Sequence, residues 1–409
     1  MQAVNTLTLP ELAMETPEFA ADPFSRFTAA RSQHPWLART SVGIVVTQYA
    51  AIRDLLGMDD KLRVAHERVI ELMNAEGSKW GTFQIESILG LGGERHKRLR
   101  DTLALMFTPR AANQHRALMR RVITELLDEW VPKCRFDFEE FASYFPISVM
   151  CSLIGASPSV LPRLRKSLET LGLSFNLIPD FLPRLEEAVG VLESFVNGLV
   201  DERQRSPRAT AEPDLLDVLI SAQKSGALTA SEVNNLLIFL FVAGYDTSKN
   251  VLTMIMDEMI NHPDIYQRCA QDATYCRKVV EEAFRYQSPA TIPRLVNEDI
   301  VYRDVLIPKD TMLFFPVGMA GRDGSAISNP DAFDPERDQA NRHMAFGRGM
   351  HMCLGQFIAR AQIEEGLQLI AQRVRQPRRA GTPGHRPFPG VWGFKGLPID
   401  FTPGEAPVS

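Results

Sequence analysis

Cys353 closes a glycine-punctuated turn, Phe346-Gly347-Arg348-Gly349-Met350-His351-Met352-Cys353-Leu354-Gly355, that delivers one sulfur to the start of an apolar helical run. A sulfur at a helix N-terminus faces backbone N–H groups and the positive end of the dipole, which favours the thiolate over the thiol. Gly347 and Gly349 permit positive φ and a close approach of the backbone to a flat ligand. Leu354, Phe357, Ile358, Ala361, Ile363, Leu367 and Ile370 continue the helical pattern over 354–374. A lone cysteine suits a haem iron better than zinc, which takes about four ligands, usually in pairs. The plain alternative is a packing cysteine at a helix start.

A second group, Ala243-Gly244-Tyr245-Asp246-Thr247-Ser248, sits inside a helical pattern from about Thr229 to Asn261. Thr229 and Glu232 read as a capping box, and His262-Pro263 stops the run. Such a helix spans roughly 48 Å, enough to cross a whole domain. Leu236, Leu237, Phe239, Leu240, Phe241 and Val242 make it apolar nearly all round, and so buried. Gly costs about 1 kcal/mol against Ala there, and a buried Asp is expensive unless paired. A local violation of this kind points to a site. The plain alternative is a glycine packing contact, with Thr247 bonding back to its own helix.

Glu282 and Arg285, at i and i+3, share a helix face. Alone they read as a solvated surface pair, but Ser288-Pro289, Arg294 and Phe333-Asp334-Pro335-Glu336-Arg337 follow. His96 and Arg100, in His96-Lys97-Arg98-Leu99-Arg100, are i and i+4 and can face one anionic group; Phe107-Thr108-Pro109 comes next. An exposed basic helix is the plain alternative.

Taken in order, these segments resemble the cytochrome P450 superfamily, and the resemblance runs from Pro23-Phe24 to Pro398. The Cys353 stretch is similar to the family's haem-ligand signature, with Phe346, Gly347 and Gly355 around the cofactor. Ala243, Gly244, Asp246 and Thr247 resemble its oxygen-activation motif, which implies a kinked, Gly244-widened turn, with Thr247 and Asp246 delivering protons. Glu282, Arg285 and Arg337 match its structural triad. His96, Arg100, Arg294 and His351 match its contacts to the haem propionates. Some positions depart from the common pattern: Gly321 where Asn is usual, Asp304 for a frequent Gly, and Gln362 for a frequent Glu.

The resemblance implies a mainly α fold with small β-sheets, in which one haem b lies between the long central helix and the Cys-loop helix. It also implies a monooxygenase that hydroxylates or O-dealkylates a compact hydrophobic molecule, with aromatic and terpenoid compounds as candidates. By family position the substrate contacts are Trp80, Phe83, Phe175, Phe239, Ala290, Ile292, Trp392 and Phe394, with Arg63 and Lys395 as possible carboxylate handles. The chain has no Gly-x-Gly-x-x-Gly fingerprint and no ferredoxin-like cysteine cluster, so two electrons must come from a separate ferredoxin and its NAD(P)H-dependent reductase. Lys97, Arg98, Arg110 and Arg348 would give the docking face positive charge. Two other readings remain open here: a peroxide-driven or isomerising haem-thiolate enzyme, and a non-catalytic haem sensor or carrier.

Composition sets bounds. The 409 residues contain no linker, repeat or low-complexity block, and motifs spread along the chain must meet at one haem, so a single domain over 1–409 is expected. Helical patterns cover 94–131, 159–176, 184–204, 230–261 and 275–287; β signals fall at 43–47, 300–315 and 388–402, with the β-richer parts at roughly 40–65 and 300–315. The Pro-rich stretch 382–389 reads as a surface loop. A net charge of −5 argues against nucleic acid as a partner. No run of 18 apolar residues exists and 1–19 lacks a signal-peptide pattern, so a cytoplasmic, unanchored monomer is expected. Five cysteines form no convincing disulfide framework.

Overall fold

The computed structural model describes residues 2–208, 212–338 and 343–405. Its longest element is the central helix, Ala230–Asn261. Both arms of the capping box form: the Glu232 amide donates to Thr229 Oγ1 at 3.2 Å, and the Thr229 amide donates to Glu232 Oε2 at 3.0 Å. His262 and Pro263 end it as the sequence indicates, and Pro263 opens the next helix, Pro263–Gln271.

The Phe138–Ile154 helix lies along the central helix. The Cys-loop helix, Gln356–Arg373, packs on Arg116–Trp130, Pro263–Gln271 and Ala273–Tyr286. These helices share one large apolar core, to which Leu236, Leu237, Phe241, Phe138, Phe141 and Ile370 contribute. The pattern expected over 94–131 is three helices, Gly93–Ala104, Pro109–Gln114 and Arg116–Trp130. Thr108 caps the middle one through the Ala111 amide, with Pro109 at its first position, where a missing N–H costs nothing. Leu161–Leu171 and Leu182–Arg205 fill the expected 159–176 and 184–204 regions.

A smaller core covers a five-stranded sheet, with Leu37, Val46, Leu313 and Phe315 among its residues. The strand order is Leu37–Thr40, Gly43–Val46, Met312–Phe315, Ile292–Val296, Leu62–Val64. Only the Gly43–Val46 and Met312–Phe315 pair is parallel. Arg294 is opposite Leu313 on one side and Val64 on the other. This register brings His66, two residues past Val64, near Arg294.

One sequence expectation is overturned. The stretch 382–389 is not a surface loop. Gly384–His385 pairs with Phe394–Lys395 as a hairpin, Arg386 is 6% exposed and Phe388 1%. Asn176, from the turn after Leu161–Leu171, donates to the carbonyls of Pro387 (2.8 Å) and Pro389 (2.5 Å), which fixes 386–389 inside the protein while Thr382 and Gly384 stay exposed.

Candidate active site

The Cys353 turn is built as its glycines require. Gly347 has φ 69° and Gly349 φ 76°. A Cβ on Gly349 would lie 2.5 Å from Asp59 Oδ1, whose carboxylate also receives the Met350 amide at 2.9 Å. The Cys353 amide donates to the Phe346 carbonyl at 2.8 Å. The helix itself starts at Gln356, with Gly355 as its N-cap. Burial pushes the Cys353 thiol upward, opposed by the Gly355 amide and by the charges of Arg100 and Arg360. The helix start therefore does not ionise the sulfur unaided, and a bound metal cation would supply what is missing. Among the described residues no group of three or more His, Cys, Asp and Glu could hold a metal ion.

A cavity of about 300 Å³ runs from Cys353 to the central helix. Phe346, Gly347 and Gly355 line the Cys353 side, Ala243, Gly244 and Thr247 the opposite side, and His96, Arg100 and His351 one edge. Basic residues gather at that edge, with Asp59 the nearest acid acting on them. The His96 and His351 ring centroids are 4.3 Å apart. Arg100 Nη2 donates to the Met352 carbonyl at 2.6 Å, and Arg294 Nη1 to the Pro293 carbonyl at 2.9 Å. His96 Nδ1 and both nitrogens of His66 are buried without a partner. Burial, aided by Arg294, His96, His66 and Arg100, pushes His351 down to about 3. Burial pushes Arg294 down to about 10 against the pull of Asp59. These are groups waiting for an anion. A flat cofactor carrying carboxylates at its edge would suit the sulfur, the slot and the basic edge together. His66, which the strand register brings near Arg294, is buried against Phe175 and does not line the cavity.

Glu282 and Arg285 are fully buried and joined bidentately at 2.7 and 2.8 Å. Arg285 also donates to the carbonyls of Gly321 (2.8 Å), Pro330 (2.6 Å) and Ala332 (2.8 Å). Arg337 reaches Glu282 at 3.4 Å and the Asn329 and Ala332 carbonyls at 3.0 Å each. The solvated-pair alternative is excluded. The cluster ties one helix to the loop over 321–337, with planar guanidinium forks fixing the geometry. Gly321 is required at its place: a Cβ there would lie 1.9 Å from the Arg285 carbonyl.

On the central helix, Thr247 Oγ1 donates to the Ala243 carbonyl at 2.9 Å. The helical span is continuous through Gly244. Gly244 lets the Phe138–Ile154 helix close in: a Cβ would lie 2.4 Å from Met150 Cε. Asp246 is 1% exposed and does not line the cavity. Arg386 Nη1 donates to its Oδ1, and Asn250 Nδ2 donates to its carbonyl at 2.7 Å. Arg386 is a residue that sequence reasoning missed, hidden in the stretch read as a surface loop.

Of the expected substrate contacts, Phe239, Ala290 and Ile292 line the cavity. Trp80, Phe83, Phe175, Trp392 and Phe394 do not, and lie in the apolar core. Trp80 Nε1 donates to Ser174 Oγ at 3.1 Å and Trp392 Nε1 to the Ala20 carbonyl at 2.8 Å. Phe175 is edge-on to His66, and Phe394 packs against His385. Arg63 is occupied by Glu67 (2.8 Å) and Asp310 (3.1 Å) beside an open polar groove elsewhere, and Lys395 lies away from the cavity.

Fold and site together define a haem-thiolate protein. Residues 45–376 match the family Cytochrome P450, and the chain belongs to that family. It is 29% identical over 398 residues to luteothin monooxygenase of Streptomyces thioluteus, covering 96% of each chain. It is 25% identical over 394 residues to the biotin biosynthesis cytochrome P450 of Bacillus subtilis, covering 94% of this chain and 97% of that one. The crystal structure of CalO2 superposes with TM-score 0.87 at 22% identity, over 97% of this chain and 100% of that one. The cofactor is haem b and the activity that of a P450 monooxygenase. No helix among the described residues is long and apolar enough to cross a membrane.

Proposed function

We propose that this monooxygenase oxidises a compact hydrophobic molecule, by hydroxylation or O-dealkylation, with electrons from a separate ferredoxin and its NAD(P)H-dependent reductase. The observation that carries the substrate class is the apolar lining of the cavity, where Phe239 and Leu240 of the central helix and Ile88, Leu89, Ala290 and Ile292 offer no charge. Aromatic and terpenoid compounds fit that chemistry.

Haem, when bound, supplies the oxygen chemistry, and the thiolate of Cys353 tunes it by electron donation. His96, Arg100, Arg294 and His351 would hold its carboxylates. Glu282, Arg285 and Arg337 hold the loop over 321–337, which precedes the Cys353 turn in the chain. Thr247 carries a hydroxyl that both donates and accepts, so it can hand a proton into the cavity once it leaves the Ala243 carbonyl. Asp246 resupplies it from the buried side of the helix.

The electron donor docks on the Cys353 side. Of the four cations expected there, Lys97 is paired with Asp101 and Arg98 with Glu232. Arg110 and Arg348 are exposed, and Leu105 (82% exposed) and Met352 (40%) give the face apolar contact area. The chain works as one unit, as a monomer in the cytoplasm.

A spin-state screen of the ferric holoenzyme tests the substrate class. Small terpenoids and aromatic ethers should shift the haem band, whereas macrolides and steroids should not. The reverse pattern refutes the compact-substrate reading.

A further inference from the structure

A second ion is buried beside Asp246. Lys249, three residues on, has a side chain only 2% exposed, and its Nζ lies 3.8 Å from Asp246 Oδ1. The same ammonium donates to Glu139 Oε1 on the Phe138–Ile154 helix, and it sits 5.7 Å from the centre of the Tyr245 ring. Side chains along the chain Arg386, Asp246, Lys249, Glu139 are 7, 2, 2 and 18% exposed. Glu139 is therefore the member that meets solvent.

Two cations face one carboxylate, and their chemistry differs. A guanidinium does not give up its proton in proteins, so Arg386 can only hold Asp246 in place. An ammonium carries three donors and can hand a proton on. Burying a lysine costs several kcal/mol, and an apolar side chain in its place would often be at least as stable. Retention of the lysine, bonded to a carboxylate at the solvent edge and facing the candidate proton donor, calls for a use.

We propose that Lys249 and Glu139 form the proton inlet of the distal site. Glu139 takes a proton from solvent. Lys249 passes one of its own to the Asp246 carboxylate, breaking N–H as O–H forms, and regains one from Glu139. Each cycle carries one proton inward and no electron. The inference rests on the reading of Asp246 and Thr247 given above. Lys249 does not line the cavity and acts through Asp246, so it is a positioning residue for the proton path.

Lys249→Arg keeps the charge and removes the transferable proton; Lys249→Gln removes both. Oxygen consumption by the holoenzyme with ferredoxin, reductase and NADH is measured in H2O and D2O. Both variants should slow it about tenfold or more, the scale of a lost proton-transfer group, with an enlarged solvent isotope effect. Glu139→Gln, at a more exposed position, should move both readings in the same direction by less. Two readouts independent of turnover accompany these. The thermal midpoint and the stretching band of carbon monoxide on the reduced haem should stay at wild-type values in Lys249→Arg. Wild-type oxygen consumption in Lys249→Arg, or an unchanged isotope effect in Glu139→Gln, overturns the inlet and leaves the lysine an electrostatic support. Asp246→Asn, read by oxygen consumption, and Thr247→Ala, read by product formed per oxygen consumed, run alongside and separate the failures. If these two are impaired while Lys249→Arg is not, only the inlet falls. If they too behave as wild type, the reading of the pair falls with it.

Discussion

Arg386 and Asp246 are joined across 140 positions of sequence, inside the protein, where the guanidinium meets the one carboxylate in the middle of the central helix. Their free atoms, Arg386 Nη2 and Asp246 Oδ2, are buried without partners. Removing Arg386 leaves the Asp246 charge facing only the more distant Lys249 ammonium at 3.8 Å, and breaking a buried pair costs about 3–5 kcal/mol. Arg386→Met should therefore lower the denaturant midpoint strongly. The double variant Arg386→Met/Asp246→Asn should recover most of the loss, because no uncompensated charge remains.

Two glycines should respond differently to the same added methyl. A Cβ on Gly172 would lie 2.2 Å from Asp246 Oδ2 and 2.9 Å from Arg386 Nη2, both fixed by their ion pair. Gly172→Ala should cost about 1–3 kcal/mol by overpacking. On Gly244 the obstacle is Met150 Cε, the far end of a flexible side chain. Gly244→Ala should therefore cost less. Chemical denaturation of the two variants checks the order.

Acid should weaken the haem-free protein through His66. Burial, with Arg294 adding to it, pushes this imidazole down to about 3. The folded state then binds fewer protons than the unfolded state between about 3 and the ordinary value near 6.5. The stability contribution is fully present above the unfolded value and is lost as pH falls through that window. His66→Phe should flatten the decline below about pH 6.5, the normal histidine value. An unchanged acid slope in that variant would assign the decline to other groups.

The propionate edge predicts a graded loss of cofactor. Each charge-assisted contact is worth about 1.5–3 kcal/mol. Arg100→Ala and Arg294→Ala should each speed haem transfer to an acceptor protein without changing the axial-ligand spectrum. Normal retention in the double variant contradicts the assignment.

Much of this was legible because local rules and spacing agreed. The Thr229 capping box, the buried glycine–aspartate interruption and the Glu282–Arg285 pair are each written within a few residues. What stayed hidden depends on distant chain. Arg386 lies in a Pro-rich stretch whose burial is set by Asn176, over two hundred residues earlier in sequence. Trp80 and Trp392 have the composition of pocket walls, yet each buries its ring and satisfies its N–H on a partner found only in three dimensions. Thr247 shows a limit of motif reading: its hydroxyl bonds the Ala243 carbonyl, as a structural threonine would.

That threonine separates oxygen-dependent turnover from the peroxide-driven and sensor readings. Thr247→Ala should leave substrate binding and NAD(P)H consumption near wild type, while electrons leave as hydrogen peroxide and product per electron pair falls sharply. Coupling equal to wild type moves proton delivery to another hydroxyl, with Ser248 at the cavity as the next candidate.

The central claim is that Cys353 is the axial ligand. The most direct measurement is the absorption of the reduced carbon monoxide complex in the wild type and in Cys353→His. The wild type should show the band of thiolate-ligated haem. In Cys353→His that band should vanish while haem is still held by the His96, Arg100, Arg294 and His351 edge. A thiolate band that survives in Cys353→His contradicts the assignment and places the ligand at another of the five cysteines.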